Sequence, residues 1–361
     1  MNSTMRSVVI GAAAVSVALS VTACGQAGSD SGEGDSKTIG LLLPENKTTR
    51  YETFDRPLME AKIKSLCADC DVAYNNASQD TETQKKQFDA LITKGVKVII
   101  LDAVDATATK SWVDAAAEKD VKVVAYDRLA EGPISAYVSY DNEKIGELQG
   151  QGVLDALGDK AADSDLVMIN GSPTDPNAAL FKTGAHSALD GKVKEIVYEQ
   201  DIPDWSPEEA NKKMAAAITS LGKDGFDAVY SANDGMAGGI ATALKSRGIT
   251  GIPLGGQDSE LAGLQRILAG TQTFTIYKGI KPEAETTAEI AVALLKGESI
   301  DELAPEKSDS KSEQGIPTKL YDATVVTKDN IKDTIIKDKV YTVEDICTAE
   351  YAKACEAAGL E

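Results

Sequence analysis

From Thr38 onward, short apolar runs alternate with longer amphipathic stretches. The runs cover residues 38–43, 72–74, 96–101, 121–126, 136–140, 166–169, 193–198, 228–230, 252–254 and 274–277, and are rich in Val, Ile and Leu. Runs this short, bounded by turn residues, read as buried strands. Between them, residues 81–94, 107–119, 142–157, 207–221, 235–247 and 282–295 carry apolar positions at helical spacing. Strands alternating with helices of this length predict an α/β chain. Its parallel sheets are covered by helices on both faces.

The residues that end the runs are polar. Val98-Ile99-Ile100-Leu101 gives way to Asp102, Val123-Val124-Ala125-Tyr126 to Asp127-Arg128, and Tyr137-Val138-Ser139-Tyr140 to Asp141-Asn142. Val167-Met168-Ile169 gives way to Asn170, followed by Ser172-Pro173-Thr174-Asp175. Val229-Tyr230-Ser231-Ala232 leads to Asn233-Asp234, and Pro253-Leu254-Gly255-Gly256 to Gln257-Asp258. Asp and Asn after a strand serve as helix N-caps, but capping does not account for Arg128 or Gln257. Open parallel sheets bind ligands at the carboxyl ends of their strands, so these positions are the candidate site.

At 361 residues the chain exceeds a usual single domain, which predicts two lobes. The formal net charge of −20 argues against nucleic acid, whose binding needs clustered Lys and Arg. It also disfavours adsorption to anionic lipid.

The N-terminus holds one cation, Arg6, and then an uncharged apolar run over residues 8–21. As a helix this run would extend ~20–25 Å against a hydrocarbon core of ~30 Å, so it reads as the core of a signal peptide rather than a span. Its end, Val21-Thr22-Ala23-Cys24-Gly25, resembles a bacterial lipoprotein signal. That resemblance implies removal of residues 1–23, lipidation of Cys24 and attachment to the cell membrane by lipid alone. Residues 24–36, rich in Gly, Ser and Asp, then form a tether.

Four further cysteines, Cys67, Cys70, Cys347 and Cys355, are candidates for disulfides outside the cytoplasm. Cys67 and Cys70 are close enough to bridge at a helix end. Cys347 and Cys355 would lie ~12 Å apart on one straight helix, so a bridge between them requires the helix to break. Crossed pairing and a four-cysteine zinc site are the alternatives.

No catalytic set appears in the sequence. The single histidine, His186, has no acid or thiol constellation in its neighbourhood, and no phosphate loop, nucleophile elbow or calcium loop is present. The chain is therefore expected to bind, without cofactor or metal, rather than to catalyse. Carboxylates, amides and cations with no base–nucleophile pair suit a polyhydroxyl ligand, because each hydroxyl both donates and accepts. An aromatic ring covers such a ligand's C–H face. Trp205, in the loop Asp201-Ile202-Pro203-Asp204-Trp205-Ser206-Pro207, and Tyr51 are the candidate rings; Trp112, inside an Ala-rich amphipathic helix, reads as core.

The segments Arg50-Tyr51, Ala125-Tyr126-Asp127-Arg128, Asp141-Asn142-Glu143-Lys144-Ile145-Gly146, Gly171-Ser172-Pro173-Thr174-Asp175-Pro176-Asn177, Asn233-Asp234, Gly256-Gln257-Asp258 and Ile276-Tyr277-Lys278 together resemble the xylose-binding and multiple-monosaccharide-binding proteins of bacterial ABC importers. The resemblance runs from Lys37 to about Lys337. It implies a type I periplasmic binding protein fold, with two Rossmann-like lobes joined by a three-segment hinge. The implied first lobe is 37–139 plus 278–303, and the second is 140–277 plus 304–361.

It also implies sugar contacts from Arg50, Asp127, Arg128, Asn177, Asn233, Asp258 and Lys278, with Tyr51 and Trp205 against the ring. Tyr51 stands where that family usually has Trp, and the cysteine-bearing C-terminal extension is additional. The implied role is a monomeric extracytoplasmic lipoprotein. It captures a monosaccharide such as D-xylose by hinge closure and hands it to a permease driven by a cytoplasmic ATPase. The alternative is a sensor that presents the sugar to a chemoreceptor or kinase.

Overall fold

The computed structural model describes residues 37–360. The apolar N-terminal run, Cys24 and the tether at 24–36 lie outside the described residues.

The first half begins with β1 (Thr38–Leu43), α1 (Arg56–Leu66), β2 (Asp71–Asn76), α2 (Thr81–Thr93), β3 (Val98–Leu101), α3 (Ala106–Ala117), β4 (Lys122–Tyr126) and β5 (Ala136–Tyr140). The second continues with α4 (Asn142–Leu157), β6 (Asp165–Asn170), α5 (Pro176–Leu189), β7 (Glu195–Asp201), α6 (Pro207–Leu221), β8 (Ala228–Ser231), α7 (Asp234–Ser246), α8 (Leu261–Leu268) and β9 (Thr275–Lys278). The chain closes with α9 (Ile280–Lys296), β10 (Glu306–Ser308), β11 (Ile316–Tyr321), β12 (Ala323–Val326), α10 (Val343–Ile346) and α11 (Ala352–Ala357).

Seven strands form the first sheet, in the order β2-β1-β3-β4-β5-β11-β10, all parallel except the edge strand β10. Alternation along each strand divides its side chains between two cores. Ile39, Leu41, Val98, Ile100, Val124 and Tyr126 face α1 and α9. Leu42, Ile99, Leu101, Val123 and Ala125 face α2 and α3, together with Trp112. The strands are apolar on both faces because both faces are covered. The second sheet, β7-β6-β8, is parallel and is extended by a single bridge from Leu254 to Val229. Its core runs through α4, α5, α6 and α7.

The chain crosses between the two halves at three places: after β5, after β9, and between β11 and β12. The third crossing corrects the sequence expectation, which placed everything after 303 in the second lobe. β11 pairs in parallel with β5, Thr318 opposite Tyr137 and Tyr321 opposite Tyr140, so residues 306–321 complete the first sheet. Only then does β12 pair antiparallel with β9.

The disulfides join neighbours, Cys67 to Cys70 and Cys347 to Cys355. The first closes the C-terminal end of α1. The second spans the break between α10 and α11, and the Cα atoms lie 5.9 Å apart. With all four sulfurs in bridges, no thiolate is left for a zinc site. The C-terminal segment packs Ile331, Ile335, Ile346, Cys355 and Leu360 onto Leu264 and Ile267 of α8.

Helices α4 and α5 lie backbone to backbone because Gly146 and Gly184 face each other's helix. A methyl group on Gly184 would collide with the carbonyl of Glu143, and one on Gly146 with that of Phe181. Overpacking of this kind destabilises by about 1–3 kcal/mol. Gly184→Ala is therefore expected to lower the urea-unfolding free energy by about that amount. An unchanged midpoint would contradict the close approach of the two helices.

Candidate functional site

The first sheet's order, β2-β1-β3-β4-β5, reverses direction between β1 and β3. At such a switch point the connections leave on opposite faces and open a crevice at the strands' carboxyl ends. The loop after β1 enters it and runs into a π-helical turn over Tyr51–Asp55, closed by the Arg56 amide on the Tyr51 carbonyl. This wide turn is a device common at functional sites. It places Arg50 and Tyr51 at the crevice and turns Asp55 beneath them.

All nine residues predicted from the sequence line one cleft of about 310 Å³: Arg50, Tyr51, Asp127, Arg128, Asn177, Trp205, Asn233, Asp258 and Lys278. They come from the ends of β1, β4, β6, β7, β8 and β9 and from the loop after Leu254. Thr48, Asp175, Phe181 and Gln257 line it as well. Asp175 and Gln257 carry the strand-end signal that identifies the others. Phe181 has no such signal, since it projects from the middle of α5 and cannot be told from core by its helical spacing.

Direct contacts already join the two halves across this cleft. Arg128 Nε lies 2.9 Å from Asp175 Oδ2, and the Trp205 indole N–H donates to the same oxygen at 3.1 Å. Asn177 donates through Nδ2 to the Asp127 carbonyl at 3.0 Å. Tyr51 donates its hydroxyl proton to Asp127 Oδ2 at 2.8 Å, and Arg128 Nη2 donates to Tyr51 Oη at 3.3 Å. Lys278 Nζ pairs with Asp258 Oδ1 at 2.9 Å and sits 5.4 Å and 5.7 Å from the ring centres of Tyr140 and Phe181. Trp205 meets Phe181 edge to face, with centroids 6.4 Å apart.

Asp175 and Asn233 also cap α5 and α7, so these two serve both readings of the strand-end pattern. Asp127 and Asp258 cap nothing. Trp112 is core, as its pattern predicted. His186 lies on the α5 surface between Asp190 and Glu199, away from the cleft.

Burial pushes the Asp127 carboxyl up, but Arg50, Lys278 and Arg128 together outweigh it and hold the group below its usual range. Asp102 and Asp175 go the other way. Burial dominates in both and raises them, despite Arg128. Burial opposes the charge on Lys278, yet Asp258 and Asp127 raise it. Asp127, Trp205 and Asp258 all have left-handed φ, 55°, 51° and 93°. Non-glycine residues held there cost about 1–3 kcal/mol each, a strain typical of sites whose geometry is set in advance.

Four buried atoms of cleft-lining residues make no hydrogen bond within the protein, Arg50 Nη1, Arg128 Nε, Gln257 Oε1 and Asp258 Oδ1, and of these Arg128 Nε and Asp258 Oδ1 lie in close ion pairs. Donors and acceptors thus crowd a small space with no nucleophile poised against a base. The arrangement can grip a small, neutral, hydrogen-bonding molecule.

Beside the cleft, Glu260 Oε1 accepts from the Thr49 amide at 3.2 Å, a further contact between the halves. Its own amide donates to Asp234 Oδ2 at 2.9 Å. Burial pushes Asp234 up to about 7 and Glu260 up to about 8, the latter with Asp234 and Asp258 adding repulsion. A carboxyl raised on folding keeps a proton that the unfolded chain gives up. Its contribution is therefore intact below the ordinary carboxylate range and is lost as pH climbs toward about 8. Between about pH 5 and about pH 8, Glu260→Gln is expected to lose less stability than the parent, by about 1 kcal/mol or more. Denaturation at the two pH values reads the difference, and equal losses would refute it.

The family described as periplasmic binding protein domain matches residues 39–299. The D-xylose-binding periplasmic protein of Escherichia coli (strain K12) is 37% identical over 310 residues, covering 83% of this chain and 89% of that one. The multiple sugar-binding periplasmic receptor ChvE of Rhizobium radiobacter is 29% identical over 336 residues, covering 86% and 93%. Among solved structures, an ABC transporter solute binding protein from Clostridium phytofermentans with bound β-D-glucose superposes with a TM-score of 0.76 at 26% identity. That match covers 86% of this chain and 99% of the other.

Proposed function

The chain belongs to the periplasmic binding protein domain family, and from that premise we propose that its cleft captures a monosaccharide, D-xylose or a similar aldopyranose, for delivery to an ABC import permease. A member of this family of substrate-binding proteins is not an enzyme.

One observation carries the reading. Side chains from seven separate connections in both halves converge on a single cleft built of carboxylates, amides, cations and three aromatic rings. Arg50, Arg128 and Lys278 donate to ring and hydroxyl oxygens, Asp127 and Asp258 accept from hydroxyls, and Tyr51, Trp205 and Phe181 cover the C–H face. The halves swing together about the three crossings as the sugar bridges them, which shifts the population to the closed form. The closed form, a monomer, then docks on the permease, and a cytoplasmic ATPase drives import.

A ligand hydroxyl of the wrong configuration leaves a buried carboxylate or cation unpaired. Hydrogen bonds to charged groups are worth ~1.5–3 kcal/mol, or ~10–150-fold in affinity. Calorimetry against xylose, glucose, galactose, arabinose, ribose and fucose is expected to find at least one sugar bound at about micromolar affinity or better. Arg128→Ala and Asp258→Ala should each weaken it by about 100-fold. A panel with no binder, or two variants indistinguishable from the parent, would overturn the assignment.

The same proposal includes an anchor. The uncharged run at 8–21 followed by Val21-Thr22-Ala23-Cys24-Gly25 supports lipidation of Cys24 after cleavage, with 24–36 as the tether. In cells fed labelled fatty acid, the wild-type protein should take up label and sediment with membranes, while Cys24→Ala should do neither. Label retained by the variant would exclude this anchor.

A further inference from the structure

Beneath the cleft, Arg50 is held by a carboxylate from a distant part of the chain. Glu283, in the first turn of α9, is fully buried and does not line the cleft. Its Oε2 accepts from Arg50 Nη2 at 2.5 Å and from Tyr126 Oη at 3.3 Å. Asp55, also fully buried, accepts from Nη2 at 2.6 Å and from Nε at 3.2 Å. Tyr126 Oη, itself bonded to Asp55, accepts from Nη2 at 3.0 Å.

One edge of the guanidinium is therefore saturated. The other atom, Nη1, is buried without a hydrogen bond and lies 3.9 Å from Asp127 Oδ1. The Tyr51 and Tyr126 rings, 5.5 Å and 5.9 Å from Arg50 Cζ, complete the surround. A planar guanidinium fixed along one edge has a single orientation left for its free nitrogen.

Packing alone does not explain the carboxylate. Its neighbours on α9, Ala284, Ala288 and Ile290, are core, and an apolar residue there would avoid the cost of burying a charge. Burial pushes Glu283 up to about 8 even beside Arg50. The position in the chain supplies a second reason. Glu283 is five residues past Lys278, where the crossing strand β9 becomes α9, so one short segment carries a cleft cation and the acceptor that orients another.

We infer that Glu283 is a positioning residue for ligand selectivity: with Asp55 it aims Arg50 Nη1 into the cleft and fixes Arg50 relative to Lys278. This rests on the sugar-binding reading, and it assigns Glu283 an action only through Arg50.

A double-mutant cycle on the mature chain tests it, titrating D-xylose, or the tightest sugar of the panel above, and its monodeoxy analogues. Glu283→Ala should weaken binding by about tenfold or more. Glu283→Gln, which keeps an acceptor oxygen, should stay within about threefold of the parent. In an Arg50→Ala background, Glu283→Ala should add less than about twofold. The deoxy analogue whose penalty disappears in Arg50→Ala should be the same one whose penalty disappears in Glu283→Ala. Glu283→Asp, which keeps the carboxyl group but withdraws its oxygens by one methylene, should reproduce the loss and serves if the alanine variant does not fold. Multiplying effects of Arg50→Ala and Glu283→Ala, or a Glu283→Ala deoxy profile equal to the parent's, would overturn the inference and leave the binding reading standing. A parent that binds no sugar would instead overturn the binding reading.

Discussion

The structure around the cleft depends on a set of charges kept out of water. Three cations, Arg50, Arg128 and Lys278, lie among Asp55, Asp102, Asp127, Asp175, Asp258 and Glu283. Acids outnumber bases here, and desolvation of each ion costs several kcal/mol. The groups divide the charge unequally. Asp127, facing all three cations, is held ionised, whereas Asp102, Asp175 and Glu283 are raised by burial. Replacement of such networks by apolar side chains is often neutral or stabilising in other proteins. What the charges supply here is a rigid pattern of donors and acceptors, and the left-handed backbone at Asp127, Trp205 and Asp258 belongs to the same arrangement.

This constraint explains what was legible in the sequence. Strand ends are marked by a switch from Val, Ile and Leu to Asp, Asn, Gln or Arg, and the cleft is made of strand ends, so local pattern found most of it. The supporting groups carry no such mark. Asp55 lies within the π-helical turn, and Glu283 sits in an otherwise ordinary amphipathic helix. Their partner, Arg50, is 233 residues from Glu283, a separation that no local pattern spans.

The fold shows the same division. The strands buried on both faces, β1, β3 and β4, announce themselves as continuous apolar runs. β10, β11 and β12 do not. β11 reads Ile316-Pro317-Thr318-Lys319-Leu320-Tyr321 and is only half buried along most of its length, with the short strand β10 on its other side. Proline near the start of a strand is compatible with such a position, but it weakens the strand signal. The missed strand moved the third crossing from 303 to between 321 and 323. Residues 252–254, expected as a strand, contribute one bridge, since Pro253 lacks an amide proton and Gly255-Gly256 follow at once.

The contacts between the halves bear on how a ligand would close the cleft. Arg128 with Asp175, Asn177 with Asp127, Glu260 with the Thr49 amide, and Phe54 edge-on to Tyr341 all favour closure with no help from a ligand. The carboxylates oppose it, because closure brings Asp127 of the first half toward Asp175 and Asp258 of the second in a space too small for bulk water. A ligand shifts this balance only through interactions it makes better in the closed form. A hydroxyl group does so by donating to a carboxylate and accepting from a cation at once, which neutralises the repulsion where it arises. An apolar molecule of equal size would bury area and leave the repulsion intact. On the proposed sugar-binding reading, the excess of acid over base would make closure respond to hydroxyl groups, and the three cations, held by Asp55, Glu283, Asp102 and Asp258, would decide which hydroxyls are read.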